Sequence, residues 1–145
     1  MNPYPALAEL IPQSGSMVLL DEVVEAAGPR IACRVRLRPD SLFAAEGRVP
    51  ALMAIEYMAQ AVAAYAGLRA RAAGEPIRIG YLLGTRELAL ETDHFDVGDE
   101  LVVEATHVWG DEQIGSFRCT VARDGLPLAA ATVNVYQGDA GEGPR

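Results

Sequence analysis

One stretch of the sequence decides the fold: residues 50–73 read PALMAIEYMAQAVAAYAGLRARAA, and Gly74 follows them. Alanine, leucine and methionine dominate this stretch, and all three are strong helix formers. Proline fits the first turn of a helix, and glycine fits the position just past its end. In the first two thirds only Glu56 and Gln60 are strongly polar, apart from two tyrosine hydroxyls. Because a helix that is apolar on nearly all sides is normally buried, the sequence predicts a central helix from Pro50 to Ala73.

Strand patterns lie on both sides of this helix. Apolar residues occupy every second position from Ile31 to Leu37, which is typical of a strand with one buried face. The sequence also predicts a short helix at Pro5–Leu10 and strands at Met17–Glu25, Ile79–Leu90, Glu100–Trp109, Gln113–Arg123 and Pro127–Tyr136. Short turns separate them, among them Gly28-Pro29, Val97-Gly98-Asp99, Gly110-Asp111 and Asp124-Gly125. Strands joined by such short turns are expected to be antiparallel.

These elements predict a single α+β domain over residues 1–145. About five to six antiparallel strands would form a sheet that must curl around the helix to cover it. The last residues, 137–145, are polar and glycine-rich, and we expect them to be disordered.

Composition narrows the classes of function. The net charge of −8 argues against nucleic-acid binding, which needs a basic face. No apolar run reaches the roughly 18 residues of a membrane-spanning helix, and the first residues do not resemble a signal peptide, so a cytoplasmic protein is expected. Cys33 and Cys119 are then predicted to be reduced core thiols. Histidines and cysteines are too few and too scattered for a metal site, and no phosphate or dinucleotide motif occurs, so no cofactor is expected.

Glu56 and Gln60 are four residues apart and therefore share one face of the helix. An ionised carboxylate inside an apolar helix is costly unless it is paired or hydrogen-bonded. Glu56 could therefore pair with an arginine such as Arg86, or face water at a dimer interface. The alternative is that it lines a cavity in which it has a chemical function.

The residues around Glu56 resemble a known motif. Residues 55–61, Ile-Glu-Tyr-Met-Ala-Gln-Ala, are similar to the central-helix motif of the 3-hydroxyacyl-acyl-carrier-protein dehydratases, which have the hotdog fold. The segments 10–21, 80–84 and 96–99 resemble further family motifs in the same order, so the likeness covers roughly residues 8–136. The string that continues through Ala63-Ala64-Tyr65-Ala66-Gly67 is most similar to the dehydratase-like proteins of aryl polyene biosynthesis clusters.

This resemblance implies a mechanism and a set of site residues. In the family, a histidine removes the C2 proton of a 3-hydroxyacyl thioester, and the helix carboxylic acid protonates the leaving hydroxyl. Glu56 matches the acid, Gln60 would orient it, and burial among alanines and methionines would favour the protonated form that an acid needs. Backbone N–H groups near the helix start would hold the thioester carbonyl. The implied substrate-binding residues are Leu42, Phe43, Pro50, Ala51 and Leu52.

The sequence departs from the family at the base. The family's Gly-His-Phe-Pro-Gly run corresponds to residues 41–45, so Leu42 stands at the histidine position, and leucine cannot accept a proton. The glycine expected at the helix start is Ala51, and a histidine that often follows the N-terminal proline is Gln13. His94 and His107, the two histidines of the chain, match no catalytic position.

Three hypotheses follow from the retained acid and the missing base. The chain could be a dehydratase whose base comes from elsewhere, such as a partner chain. It could instead be a non-catalytic subunit of a heteromeric dehydratase. It could also be a hotdog thioesterase, in which the helix carboxylate activates water.

The family also implies partners. We expect an acyl carrier protein that delivers the thioester, and a homodimer or larger assembly that could include a second hotdog dehydratase. Because carrier proteins and this chain are both acidic, docking needs a local basic patch, for which Arg69, Arg71 and Arg78 are the candidates. The alternative is an ordinary helix end, where cations are favourable.

Overall fold

The computed structural model describes residues 2–77, 80–111 and 113–137. Within these ranges the chain forms one α-helix, α1 (Met53–Ala72), and eight strands. The strands are β1 (Glu22–Ala27), β2 (Arg30–Arg36), β3 (Arg48–Pro50), β4 (Gly80–Leu90), β5 (His94–Asp96), β6 (Glu100–Gly110), β7 (Ile114–Arg123) and β8 (Leu126–Gln137). Short 3-10 turns at Leu7–Glu9 and Gly15–Met17 precede β1. No helix in these ranges has the length and the apolar character needed to cross a membrane.

Six strands form one antiparallel sheet in the order β1-β2-β6-β7-β8-β4. The β7–β8 hairpin turns at Asp124-Gly125, where both residues have positive φ angles of 51° and 79°. Asp-Gly is favoured in such two-residue turns because their twist matches that of the strands. Register shifts interrupt the β4–β8 and β6–β7 pairs, and such interruptions include the bulges that bend a sheet. The predicted α+β hotdog architecture, a long helix against a curled antiparallel sheet, is confirmed.

The two faces of the sheet differ sharply. The inner face contributes buried residues such as Val103 and Val121 to a core that includes Met58 and Ala61 of α1. On the outer face, arginines of β2 form ion pairs with glutamates of β1 and β6. Arg34, for example, pairs with Glu22 and Glu100. This charged face therefore meets water, and the helix covers the other face.

Two predicted boundaries are wrong, each for a local reason. Helix α1 begins at Met53 and not at Pro50, because Pro50 ends β3 and pairs with His94 of β5 in a separate two-stranded sheet. The strand predicted from Met17 begins only at Glu22. The backbone near Met17 makes no strand ladder because it bonds to the side chain of Gln60.

At the other end of the chain, Gln137 belongs to β8, so the prediction of disorder from that residue is wrong. The rest of the predicted tail, residues 138–145, lies outside the described residues, as does Ile79.

Candidate active site

Glu56 lies in the first turn of α1 with its side chain exposed. Leu52, one helical turn earlier, is also 61% exposed, whereas Tyr57 and Met58 are buried against the core. Among the described residues the Glu56 carboxylate has neither a hydrogen bond nor an ion pair, so the alternative pairing with Arg86 is not formed. The expected burial of this carboxylate is wrong for the single chain, because the sheet covers the opposite side of the helix.

Gln60 is the buried polar residue of the helix, with 2% of its surface exposed. Its Nε2 donates to the carbonyl oxygen of Met17 at 2.6 Å, and its Oε1 accepts from the N–H of Leu19 at 2.9 Å. The predicted orienting contact with Glu56 is not seen in the described residues. The amide instead fastens the N-terminal segment to the helix one turn beyond the acid.

This contact makes a prediction for stability. We expect Gln60→Leu to lower the free energy of unfolding by about 1–2 kcal/mol, because it leaves a backbone donor and a backbone acceptor unpaired. Gln13→Leu is the matched control, since the buried Oε1 of Gln13 has no partner among the described residues. Removing that oxygen is expected to be neutral or stabilising. Chemical denaturation measures both variants, and equal effects would contradict the assignment.

The five implied substrate-binding residues fall into two groups. Leu42 is half-buried and packs against the core, and Pro50 ends β3. Ala51 is buried, and its N–H donates to the carbonyl oxygen of Asp93 at 3.0 Å. That N–H is therefore satisfied and cannot hold a thioester carbonyl.

Phe43 and Leu52 form the second group, because both present exposed apolar side chains. Phe43 is 66% exposed and has a left-handed backbone with φ of 62°. Leu52 shares the exposed side of the helix start with Glu56. The acid thus lies beside apolar surface of the kind that a partner or a ligand covers.

Among the described residues no hydrogen bond or ion pair joins either histidine to Glu56, although His94 pairs with Pro50 close to the helix start. The imidazole of His94 lies between two carboxylates, with Nδ1 2.5 Å from Asp93 Oδ1 and Nε2 3.4 Å from Asp96 Oδ1. His107 packs against Phe117 and Tyr65, with ring centroids 5.0 and 6.2 Å away. Tyr65 lies nine residues past Glu56, which corresponds to about 13 Å along a helix. His107 is therefore too distant to act on the same reacting atoms.

Both cysteines are free and buried, as predicted. Burial raises the pKa of the Cys33 and Cys119 thiols from 9.0 to about 12, and the nearby Arg118 offsets only part of this effect at Cys119. A neutral buried thiol is a poor nucleophile, so a catalytic thiol is not supported.

The two buried thiols should make the folded protein less stable at alkaline pH. Because the unfolded chain loses the thiol protons first, stability from the neutral thiols is present below pH 9.0 and is lost as pH rises toward about 12.

We expect a disulfide reagent to label native protein slowly near neutral pH and urea-unfolded protein completely. Rapid labelling of both thiols in the native protein would contradict their burial.

The structure describes two of the three arginines of the predicted basic patch. Arg69 and Arg71 lie in the last turn of α1, and both are exposed. The guanidinium of Arg69 lies 5.6 Å from the centroid of the Tyr65 ring. Arg78 lies outside the described residues.

The sequence interpretation missed a cavity at the opposite end of the helix from Glu56. It has a volume of about 590 Å³ and lies between the C-terminal half of α1 and the ends of β6, β7 and β8. Tyr65, His107 and Phe117 line it together with small residues of the helix. These residues come from distant parts of the chain, and the aromatic residues gave no local signal that could have found the cavity.

Comparisons with known proteins support the resemblance to the dehydratases. A family model described as ApeP-like, ApeP dehydratase, matches residues 5–143. No curated protein sequence matches the chain significantly.

Solved structures show the same fold. A chain of the dehydratase heterocomplex ApeI:P from Xenorhabdus doucetiae is 28% identical, with a TM-score of 0.89 over 94% of this chain and 93% of that one. The uncharacterized protein PH1136 from Pyrococcus horikoshii is 12% identical, with a TM-score of 0.66 over 94% and 96% of the two chains. The PaaI protein of the Escherichia coli phenylacetic acid degradation operon is 9% identical, with a TM-score of 0.62 over 79% and 81%. The last two show a common fold alone.

Proposed function

Because the chain belongs to the ApeP-like dehydratase family, we propose that it is the acid-supplying subunit of a heteromeric 3-hydroxyacyl thioester dehydratase. The observation that carries this proposal is the exposed carboxylate of Glu56 at the helix start, which has no partner among the described residues. A carboxylate in that place is available to a site that a second chain completes.

The proposed reaction needs one base and one acid. A base of the partner chain removes the C2 proton, the electron pair forms the C2–C3 double bond, and the C3–O bond breaks. Glu56 transfers its proton to the departing hydroxyl, which leaves as water. The N–H groups that open a helix favour negative charge, and this supports binding of the thioester oxygen near the start of α1.

In the single chain the Glu56 carboxyl group is exposed to water, and assembly with a partner chain would remove that water. An acid must be protonated when the substrate is bound, and removal of water from around a carboxyl favours its neutral form. The exposed Leu52 and Phe43 would be covered in such a complex. A partner surface and an acyl chain over Leu52, one helical turn before Glu56, would desolvate Glu56 at the same time.

Strand β4 is the proposed contact with the partner. It is an edge of the six-stranded sheet, and it exposes Leu82 and Leu83. Unpaired edges with apolar side chains favour pairing with another chain. The similarity to a chain of the ApeI:P heterocomplex supports a second hotdog dehydratase as the partner, in preference to a homodimer.

The proposed substrate is an acyl chain carried on an acyl carrier protein in aryl polyene biosynthesis. Arg69 and Arg71 supply exposed positive charge on a chain whose net charge is −8, so they are the proposed docking residues. A carrier that is itself acidic would be attracted to this end of the helix and repelled elsewhere.

A reconstitution experiment tests the proposal. The chain is purified alone and with a second hotdog dehydratase from the same gene cluster, and each sample receives a 3-hydroxyacyl thioester of the carrier protein. We expect co-purification, loss of water measured by mass spectrometry for the complex, and background turnover for the chain alone. A thiol reagent monitors hydrolysis. Full turnover by the isolated chain, or thiol release as the main reaction, would overturn the proposal, and the latter would favour a thioesterase.

A further inference from the structure

We propose that Asn2 and Tyr4 form an edge guard, which stops strand β1 from pairing with strand β4 of a second copy of this chain. The inference rests on the proposed function only in its use of β4 as the contact strand. It adds that one edge of the sheet is open for assembly and the other is closed. A chain with one open edge can join one other chain, whereas two edges that fit each other allow open-ended growth.

The two edge strands of the six-stranded sheet differ in length and in cover. Strand β4 has eleven residues, and it exposes Leu82 and Leu83. Among the described residues, only β8 forms backbone hydrogen bonds with β4. A long edge with apolar side chains pairs readily with another strand. Strand β1 has six residues, and the N-terminal segment lies against it.

Two side chains of the N-terminal segment bond to the backbone of β1. The Nδ2 of Asn2 donates to the carbonyl oxygen of Val23 at 2.6 Å. The N–H of Ala26 donates to the hydroxyl oxygen of Tyr4 at 3.0 Å. A strand can add to a sheet only through the free N–H and C=O groups of its edge, so these two bonds compete with such a strand.

The N–H of Ala26 lies on the open side of β1. Ala27 and Arg30 pair across the two-residue turn between β1 and β2, and the pair that closes such a turn is hydrogen-bonded. In an antiparallel ladder, hydrogen-bonded and non-bonded pairs alternate, so the N–H of Ala26 points away from β2. A strand that added to β1 would need this N–H, which Tyr4 already holds.

The edge guard is itself held in place. The Oδ1 of Asn2 accepts from the N–H of Tyr4 at 2.8 Å, so the two side chains are fixed relative to each other. The Tyr4 ring is half-buried and packs against the core, and Leu7 and Leu10 of the same segment are buried. An incoming strand would therefore have to break both bonds to β1 and lift the Tyr4 ring from the core.

Side-chain charge gives β1 little protection of its own. Edge strands are often guarded by charged side chains that repel another strand. The two glutamates of β1 are ion-paired with arginines of β2, Glu22 with Arg34 and Glu25 with Arg30, so their charge is offset. This leaves the edge guard as the principal protection of β1.

Light scattering of the full chain over a range of concentrations tests the proposal. The test variant combines Asn2→Ala with Tyr4→Phe, which removes both bonds to β1 and keeps the ring that packs against the core. We expect its weight-average mass at high concentration to reach at least about twice that of wild type, because β1 and β4 of successive copies pair. Thr132→Val is the matched control, since it removes an exposed hydrogen bond from Arg118 and leaves both edges unchanged. Its mass should equal that of wild type.

Two further measurements locate the growth. Leu83→Lys places a charge on the open edge, so adding it to the test variant should return the mass to that of wild type. Hydrogen exchange at Ala26 gives a local readout. This amide should exchange faster in the dilute test variant than in wild type, and it should become protected again as the concentration rises. Aggregation of unfolded chains would not protect this amide.

A test variant with the mass of wild type at every concentration would overturn the edge guard, as would growth that Leu83→Lys leaves unchanged. Exchange at Ala26 in Tyr4→Phe alone provides the answer if the double variant does not fold, and a rate equal to wild type would also reject the proposal. If the variants behave as expected while the complex releases no water, the proposed function fails and the edge guard stands. If the complex releases water while the masses stay equal, the edge guard alone fails.

Discussion

Glu56→Gln is expected to lower dehydration by the assembled complex at least about 100-fold, the lower bound of the usual contribution of a general acid. Glutamine has nearly the same shape as glutamic acid but carries no proton that it can transfer to a leaving hydroxyl. Because the side chain is exposed and meets no partner in the part of the chain that the structure describes, its replacement should not disturb folding. The loss should fall on kcat, since the interaction with the hydroxyl develops in the transition state.

The experiment compares kcat and KM of the complex containing wild-type chain, Glu56→Gln or Glu91→Gln. Glu91 follows β4 and is also an exposed glutamate, so its replacement makes the same chemical change outside the helix. Thermal melting and co-purification show whether each variant folds and assembles. Turnover of Glu56→Gln within about threefold of wild type would exclude the proposed acid, since that falls far below the effect of a general acid.

Gly67→Ala is expected to lower the free energy of unfolding by about 2–3 kcal/mol, which corresponds to a fall in Tm of roughly 5–10 °C. On helix propensity alone this change would stabilise α1, because alanine exceeds glycine by about 1 kcal/mol. The surroundings of Gly67 make the same substitution destabilising. A Cβ at Gly67 would lie 2.0 Å from the backbone oxygen of Leu10 and 2.8 Å from its carbonyl carbon. Since both are backbone atoms, no rotamer change relieves the clash.

Differential scanning calorimetry of Gly67→Ala and of the control Gly84→Ala, whose Cβ would meet nothing within 4 Å, measures this effect. Limited proteolysis adds a local readout, because displacement of Leu10 should expose the N-terminal segment first. A Gly67→Ala protein as stable as wild type would show that this segment does not lie on the helix as the structure describes.

The parts of the fold that the sequence predicted have strong local signals. Helix α1 combines good helix formers with a glycine after its end, and the alternation in β2 marks one buried face. Asp124-Gly125 is a turn dipeptide whose conformation follows from its chemistry. By contrast, β3 and β5 have three residues each, too few to show alternation, and Pro50 fits a strand end as well as a helix start.

The site was predictable only where a motif is contiguous. Residues 55–61 identified Glu56, but its exposure depends on which side of α1 the sheet covers, and no local pattern sets that. The four-residue spacing also identified Gln60 as a neighbour of Glu56 on the helix. In the structure the N-terminal segment buries Gln60, and the spacing does not predict this. The cavity joins Tyr65, His107 and Phe117 from distant elements, so it exists only in the folded chain.

The hydrogen bonds of the Gln60 side chain affect the exchange of backbone amide hydrogens with solvent. The Leu19 amide is protected by a side chain and not by a strand ladder, so its exchange should report on lifting of the N-terminal segment alone. The amides of β6 and β7, at the centre of the sheet, should exchange only when the whole domain unfolds. A ligand that binds across the helix start would then slow exchange at Leu19 before it slows exchange in the sheet.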